Sequence, residues 1–201
     1  MRIGLLGGTF NPPHHGHVIC AQESRIQLDL DAVWLVPSAT PPHREADPSV
    51  SDELRVNMCR LAVLGQPGLE VCTAEIDRGG TSYTVDTLES LAAEKPDGGD
   101  ATDDYTLIIG ADQAMSFGNW RDPERIGQLS RIAVVSRVDH DRAEAIAEVE
   151  RAAGVEPVDV DMPRIDISSS LIRERAVSGE TVAHLVPAGV AELIEEKGLY
   201  R

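Results

Sequence analysis

The chain has 201 residues, enough for one well-buried domain and short for two. Apolar residues make up 42% and charged residues 26%, the range of a globular protein, and no apolar run reaches the roughly 18 residues of a membrane span. The formal charge of -16, with Lys95 and Lys197 the only lysines, repels polyanions and argues against a general role on nucleic acid or an anionic membrane.

Residues 2–6 form a short apolar run that enters a Gly-rich turn, so they read as a buried strand; a secretory leader would need a longer apolar segment and a small-residue cleavage site. Helical periodicity follows over residues 15–28, then a strand at 32–36. Residues 38–50, rich in Pro, Thr and Ser, read either as a mobile loop over a site or as a plain solvated connection. A helix is predicted over 52–64, a strand over 69–72 and a helix over 83–95. The stretch 97–104 (DGGDATDD) is acidic and Gly-containing, and reads as an exposed loop. Strands at 105–109, 131–136 and 157–160 then alternate with helices at 123–128 and 142–152, and helices at 169–178 and 187–197 close the chain. Apolar strands separated by helices indicate a parallel sheet covered on both faces, with ligands outside the carboxyl ends of the strands. Cys20, Cys59 and Cys72 are isolated and odd in number. They fit neither a metal spacing nor a disulfide framework, and Cys20 and Cys59 fall in amphipathic helices as small hydrophobes.

The segment after the first strand carries chemistry: Gly7-Gly8-Thr9-Phe10-Asn11-Pro12-Pro13-His14-His15-Gly16-His17. The glycines are expected to let the backbone turn off the strand and approach a phosphate, and the prolines to stiffen the loop. The helix opening near His14 aims unpaired N–H groups and a positive dipole end at the loop. His14 and His17, three apart, can donate hydrogen bonds to phosphoryl oxygens. A metal site is the competing reading, but helical metal pairs usually sit four apart with a carboxylate ligand. Neither a G-x-G-x-x-G fingerprint nor a Walker lysine is present. Far downstream, Ile167-Ser168-Ser169-Ser170-Leu171-Ile172-Arg173 stands at another strand-to-helix transition. Its serines read as helix caps or hydroxyl donors, and the Arg173 fork suits a phosphate.

Together the two segments resemble the bacterial nicotinate-mononucleotide adenylyltransferase family, whose GGTFDPxHxGH loop matches Gly7–His17 and whose ISSTxIR segment matches Ile167–Arg173. The segments Pro37-Ser38-Ala39-Thr40-Pro41-Pro42-His43-Arg44, Gly79-Gly80-Thr81-Ser82-Tyr83-Thr84-Val85-Asp86-Thr87-Leu88 and Gly110-Ala111-Asp112 with Trp120 beyond are similar to further family motifs. The resemblance implies a three-layer, Rossmann-like α/β fold with a central, mainly parallel sheet and a helical C-terminal portion. All of residues 1–201 would form one adenylyltransferase domain.

The implied roles are catalysis by His14, His17 and Arg173, and ATP binding by Gly7, Gly8, Thr9, Phe10, Gly16, Gly110, Asp112, Arg137, Ile167 and Ser168. Ser38, Arg44, Tyr83, Thr84 and Trp120 would hold the pyridine mononucleotide. The helix start at Tyr83-Thr84 favours a carboxylate, and an indole such as Trp120 gains about 0.5–2 kcal/mol over a pyridinium. Core packing remains the alternative for Trp120, and helix-end packing for Tyr83. Asn11 replaces the family's Asp, Arg44 its Lys and Ser170 its Thr.

The implied reaction joins nicotinate mononucleotide to the AMP of ATP with loss of pyrophosphate. Mg2+ would accompany ATP, no metal would be held by the protein itself, and the setting would be cytoplasmic, with a homo-oligomer left open. Phosphopantetheine adenylyltransferase, an enzyme preferring the amidated mononucleotide, and a non-catalytic nucleotide sensor are the competing readings.

Overall fold

A computed structural model describes residues 1–40, 50–93, 104–136 and 139–201. In chain order the elements are β1 (Arg2–Gly8), α1 (His15–Gln27), β2 (Ala32–Pro37), α2 (Asp52–Val63), β3 (Leu69–Val71), α3 (Ala74–Arg78) and α4 (Thr84–Ala93). After these come β4 (Asp104–Gly110), α5 (Ala111–Ala114), a 3-10 turn at Phe117–Asn119, α6 (Pro123–Leu129), β5 (Arg131–Ser136), α7 (Asp139–Ala153), β6 (Val158–Asp161), α8 (Ser169–Val177) and α9 (Ala188–Lys197).

The six strands form one sheet in the order β3-β2-β1-β4-β5-β6, and every neighbouring pair is parallel. Their residues are β-branched or leucine-rich and buried on both faces, as helix-covered parallel strands must be. On one face, Val18 and Ala21 of α1, Met58 and Cys59 of α2, Ile172 of α8 and Val190 of α9 pack with Leu6, Val33 and Leu35. On the other, Leu88 of α4, Ile126 of α6 and Val149 of α7 pack with Ile3, Leu5 and Val134. Gly4 is dictated by that packing. A Cβ there would stand 2.7 Å from Ile108 Cδ1 and 2.9 Å from both Leu30 Cδ1 and Val33 Cγ2.

The order of connection reverses between β1 and β4, so their carboxyl ends open the crevice where ligands of such sheets bind. The expected elements are present, and three short ones (α3, α5 and the 3-10 turn) were not foreseen. Expectation and structure differ at the glycines. Gly7 and Gly8 stay in β1, paired with Val36 and Pro37, and the turn comes later at Thr9-Phe10. Of the acidic stretch 97–104, Asp104 opens β4 and the remainder lies outside the described residues.

Candidate active site

At the end of β1, Ser38 N–H donates to Gly8 O at 3.0 Å, continuing the ladder to β2 for one more bond. The backbone then turns through Phe10, whose φ of 49° lies in the left-handed region that non-glycine residues seldom enter. Its ring is buried beneath Gly8, where a Cβ would come within 3.1 Å of Phe10 Cζ. Gly8 is therefore needed for close approach rather than for turning. After Pro12 and Pro13, His14 caps α1 with extended backbone.

The His14 N–H donates to His17 Nδ1 at 3.1 Å. The two imidazoles stack at 3.7 Å with 25° between planes, and the Phe10 ring meets His17 edge-on at 5.0 Å. A backbone N–H can only donate, so Nδ1 of His17 is an acceptor and the neutral ring carries its proton on Nε2. Gly16 leaves room for this arrangement: a Cβ there would lie 3.0 Å from His14 Cε1 and Nδ1.

The downstream serine-rich segment folds onto the same loop. Ser168 caps α8 by accepting from Leu171 N–H at 3.2 Å. Ser169 Oγ donates to Pro12 O at 2.8 Å, and Arg173 donates from Nη1 to Asn11 O at 2.8 Å and from Nη2 to Ser170 Oγ at 3.1 Å. The Tyr200 hydroxyl donates to Asn11 Oδ1 at 2.5 Å. Donors from residues 169, 173 and 200 thus grip a loop at residues 11–12.

Beside the loop, the end of β2 meets the start of α4. Ala39 N–H donates to Ser82 Oγ and Ser82 N–H to Thr40 O, both at 2.9 Å. Tyr83 and Thr84 stand half-buried at the α4 N-terminus. The Arg121 guanidinium lies 4.8 Å from the centre of the Tyr83 ring and pairs with Asp86 at 3.2 Å. Trp120, half-buried, tilts against Phe117 with ring centres 5.0 Å apart. At the end of β4, Asp112 folds back so that its Oδ1 lies 2.6 Å from where a Cβ on Gly110 would stand.

Residues 5–175 match the cytidylyltransferase-like family. A Geobacillus thermodenitrificans protein named as a probable nicotinate-nucleotide adenylyltransferase is 40% identical over 199 residues, covering 99% of this chain and 86% of its own. A Salinibacter ruber protein of the same name is 37% identical and covers 100% of this chain and 98% of its own. The chain belongs to the nicotinate-nucleotide adenylyltransferase family. The fold agrees with that of the Plasmodium falciparum nicotinic acid mononucleotide adenylyltransferase solved with NaAD, at a TM-score of 0.78 and 14% identity, covering 99% and 97% of the two chains.

Of the residues singled out for this adenylyltransferase family, the structure gathers Gly7 and Gly8 at the end of β1 with Thr9, Phe10, His14, Gly16 and His17 on the loop and helix start that follow. Arg173 lies against that loop from α8, and Ser168 caps the helix that carries it. Ser38 follows β2 beside them, and Gly110 at the end of β4 and Asp112 in α5 stand across the crevice. Ile167 precedes the α8 cap and packs at the edge of the core shared by Phe10. Tyr83 and Thr84 come next to Ser38 through Ser82, and Tyr83 and Trp120 both pack against the far-face core. Arg44 and Arg137 lie outside the described residues.

Three residues that hold the site together were not singled out, and Ser169, read as a cap or hydroxyl donor, donates to a loop 157 residues away. Tyr200 had no local signal, since it contacts a segment 189 residues away. Arg121 was masked by its neighbour Trp120. Arg55 did carry a signal: it shares a helical face with Met58, Cys59 and Ala62, where a charge is out of place unless it has partners.

Proposed function

We propose that this chain transfers AMP from ATP to nicotinate mononucleotide, giving nicotinate adenine dinucleotide and pyrophosphate. The observation that carries the reading is the meeting of the His14–His17 helix start with the Ser169 and Arg173 face of α8 at the β1–β4 crevice, in a chain 40% identical along its length to a protein of that name. A mononucleotide phosphate oxygen attacks the α-phosphorus of ATP in line. The new P–O bond forms as the bond to the β-phosphate oxygen breaks, and pyrophosphate leaves. The attacking oxygen is already anionic, so no side chain has to remove a proton, and positioning with charge stabilisation supplies the catalysis.

In this reading the Nε2–H of His17 donates to a phosphoryl oxygen, because the His14 N–H holds its Nδ1 as an acceptor. His14 lies alongside, stacked on the same ring. Arg173 contributes positive charge at the loop, and the α1 N-terminus adds its dipole. These local donors answer the difficulty of binding ATP in a protein with a charge of -16. Gly7, Gly8, Thr9, Phe10, Gly16, Gly110, Asp112, Ile167 and Ser168 would line the ATP side. Ser38, Tyr83, Thr84 and Trp120 would line the mononucleotide side, where the α4 N-terminus favours the nicotinate carboxylate over a carboxamide.

Mg2+ enters as part of the ATP substrate. One sheet running from residue 2 to residue 161 supports a single domain. Among the described residues no helix is long and apolar enough to cross a membrane, and a cytoplasmic setting suits these substrates.

The test is pyrophosphate release from Mg2+-ATP with nicotinate or nicotinamide mononucleotide supplied in parallel. Strong preference for the nicotinate form is expected. Equal rates would remove the role given to the α4 N-terminus, and no release with either would overturn the reading.

A further inference from the structure

Arg55 is a buried charged group that the proposed reaction leaves without a role. Its side chain is only 5% exposed, on the first turns of α2 beneath the crevice. Arginine is almost never buried this far without partners, and here the partners are specific. Nη1 donates to Thr9 O at 2.8 Å. Nη2 donates to Ser38 O at 2.6 Å, more weakly to Ala39 O at 3.4 Å, and to Asp52 Oδ1 at 2.6 Å. The two arms of one planar fork therefore hold carbonyls from two different loops, one after β1 and one after β2.

What those carbonyls do follows from peptide planarity. In a trans peptide the N–H points opposite to the C=O. With Thr9 C=O turned down onto Arg55, the Phe10 N–H is turned away from it, at the residue held in the left-handed region. With Ser38 C=O turned onto Arg55, the Ala39 N–H faces the other way and donates to Ser82 Oγ. Ser82 stands immediately before Tyr83 and α4. A continuous path thus runs from the loop leading to His14, through Arg55, to the start of α4.

Resting on the reaction proposed above, we infer that Arg55 is a positioning residue that sets the ATP-side loop and the mononucleotide-side loop relative to one another. An arginine is required because a fork spans two acceptors in fixed geometry. Lysine brings the same charge as a single point, with three rotatable donors. An apolar residue would leave buried carbonyls without donors.

The test compares Arg55→Lys with wild type on Mg2+-ATP and nicotinate mononucleotide, with KM for each substrate, kcat and thermal midpoint measured together. Expected is a rise in both KM values with a fall in kcat/KM of about tenfold or more, while the protein stays folded. A purely structural arginine would lower the midpoint and leave both KM values in place, and that result overturns the inference. So does a rise confined to one substrate. If Arg55→Lys fails to fold, Asp52→Asn decides, because it keeps Arg55 and removes only its half-exposed carboxylate. Both KM values should then rise by about twofold or more, and unchanged values overturn the inference. Wild type run alongside separates the two failures: no turnover by wild type refutes the reaction, whereas normal turnover by both proteins refutes only the role of Arg55.

Discussion

Replacing Tyr200 by Phe deletes one oxygen and tests whether the far end of the fold holds the catalytic loop. Asn11 is only 5% exposed, and its Oδ1 accepts from the Tyr200 hydroxyl at 2.5 Å. Without that donor a buried acceptor loses its partner, at a cost of about 1–3 kcal/mol. Tyr200 itself is half-buried, so water can replace part of the bond and about 1–2 kcal/mol is expected. For a chain of this size each kcal/mol lowers the thermal midpoint by about 2–4 °C, so the shift should be about 2–8 °C. The same loop carries the Asn11 carbonyl held by Arg173 and leads into His14. Loosening it should therefore lower kcat by about threefold to tenfold, the scale of a small misplacement of catalytic groups.

Pyrophosphate release and differential scanning fluorimetry report the two effects. Asn11→Asp gives a sharper control, because a carboxylate makes a hydrogen bond roughly twice as strong. In that background Tyr200→Phe should cost more, and a double-mutant cycle gives the coupling. A Tyr200→Phe protein whose midpoint moves by less than about 1 °C and whose kcat is unchanged would refute the reasoning.

Three further outcomes follow from the same geometry. His17→Ala should lower kcat by roughly 10²-fold or more, the scale of losing one preorganised donor; a variant retaining half of the wild-type kcat would remove His17 from the phosphates. Gly16→Ala should lower the thermal midpoint, since crowding the buried His14 ring costs about 1–3 kcal/mol against the up to about 1 kcal/mol that alanine gains in a helix. Its kcat should also drop by about threefold to tenfold, because the new Cβ pushes on the His14 ring that stacks on His17. Burial pushes the Cys59 thiol up to about 12, despite the opposing charge of Arg55. Between the ordinary value of 9.0 and about 12 the unfolded chain gives up that proton while the folded one keeps it. Stability is therefore lost as pH rises through that window, and Cys59→Ala should flatten the alkaline slope of the thermal midpoint. Below it, a thiol reagent such as DTNB should label Cys20 and Cys72 faster than Cys59 in the native protein.

The parallel sheet was legible because its strands announce themselves as continuous apolar runs bounded by turns, and β1 to β6 fall where those runs are. The helix start at His14 was legible because Gly, Pro and His each have a local reason to be there. Yet the turning role given to Gly8 falls to Thr9-Phe10, and its steric relief toward the Phe10 ring was not legible, because it depends on a side chain folded back beneath the strand. Contacts across long stretches of chain were not legible at all. Nothing near Ser169 or Tyr200 says that Pro12 and Asn11 are their acceptors. Arg55 stands between these cases: its placement on an apolar helix face marks it as partnered, but only the folded backbone shows that the partners are carbonyls of two loops.

The hold of α8 on residues 11 and 12 also has a meaning for how the protein is made. A ribosome delivers the loop first and the donors Ser169 and Arg173 more than 150 residues later, at the roughly 5–20 residues per second of synthesis. For several seconds a nascent chain can carry its glycines, histidines and most of its sheet while the loop still lacks its outer braces. On the reaction proposed above, the unfinished polypeptide would be a poor consumer of ATP, with activity arriving late, when the last helices dock.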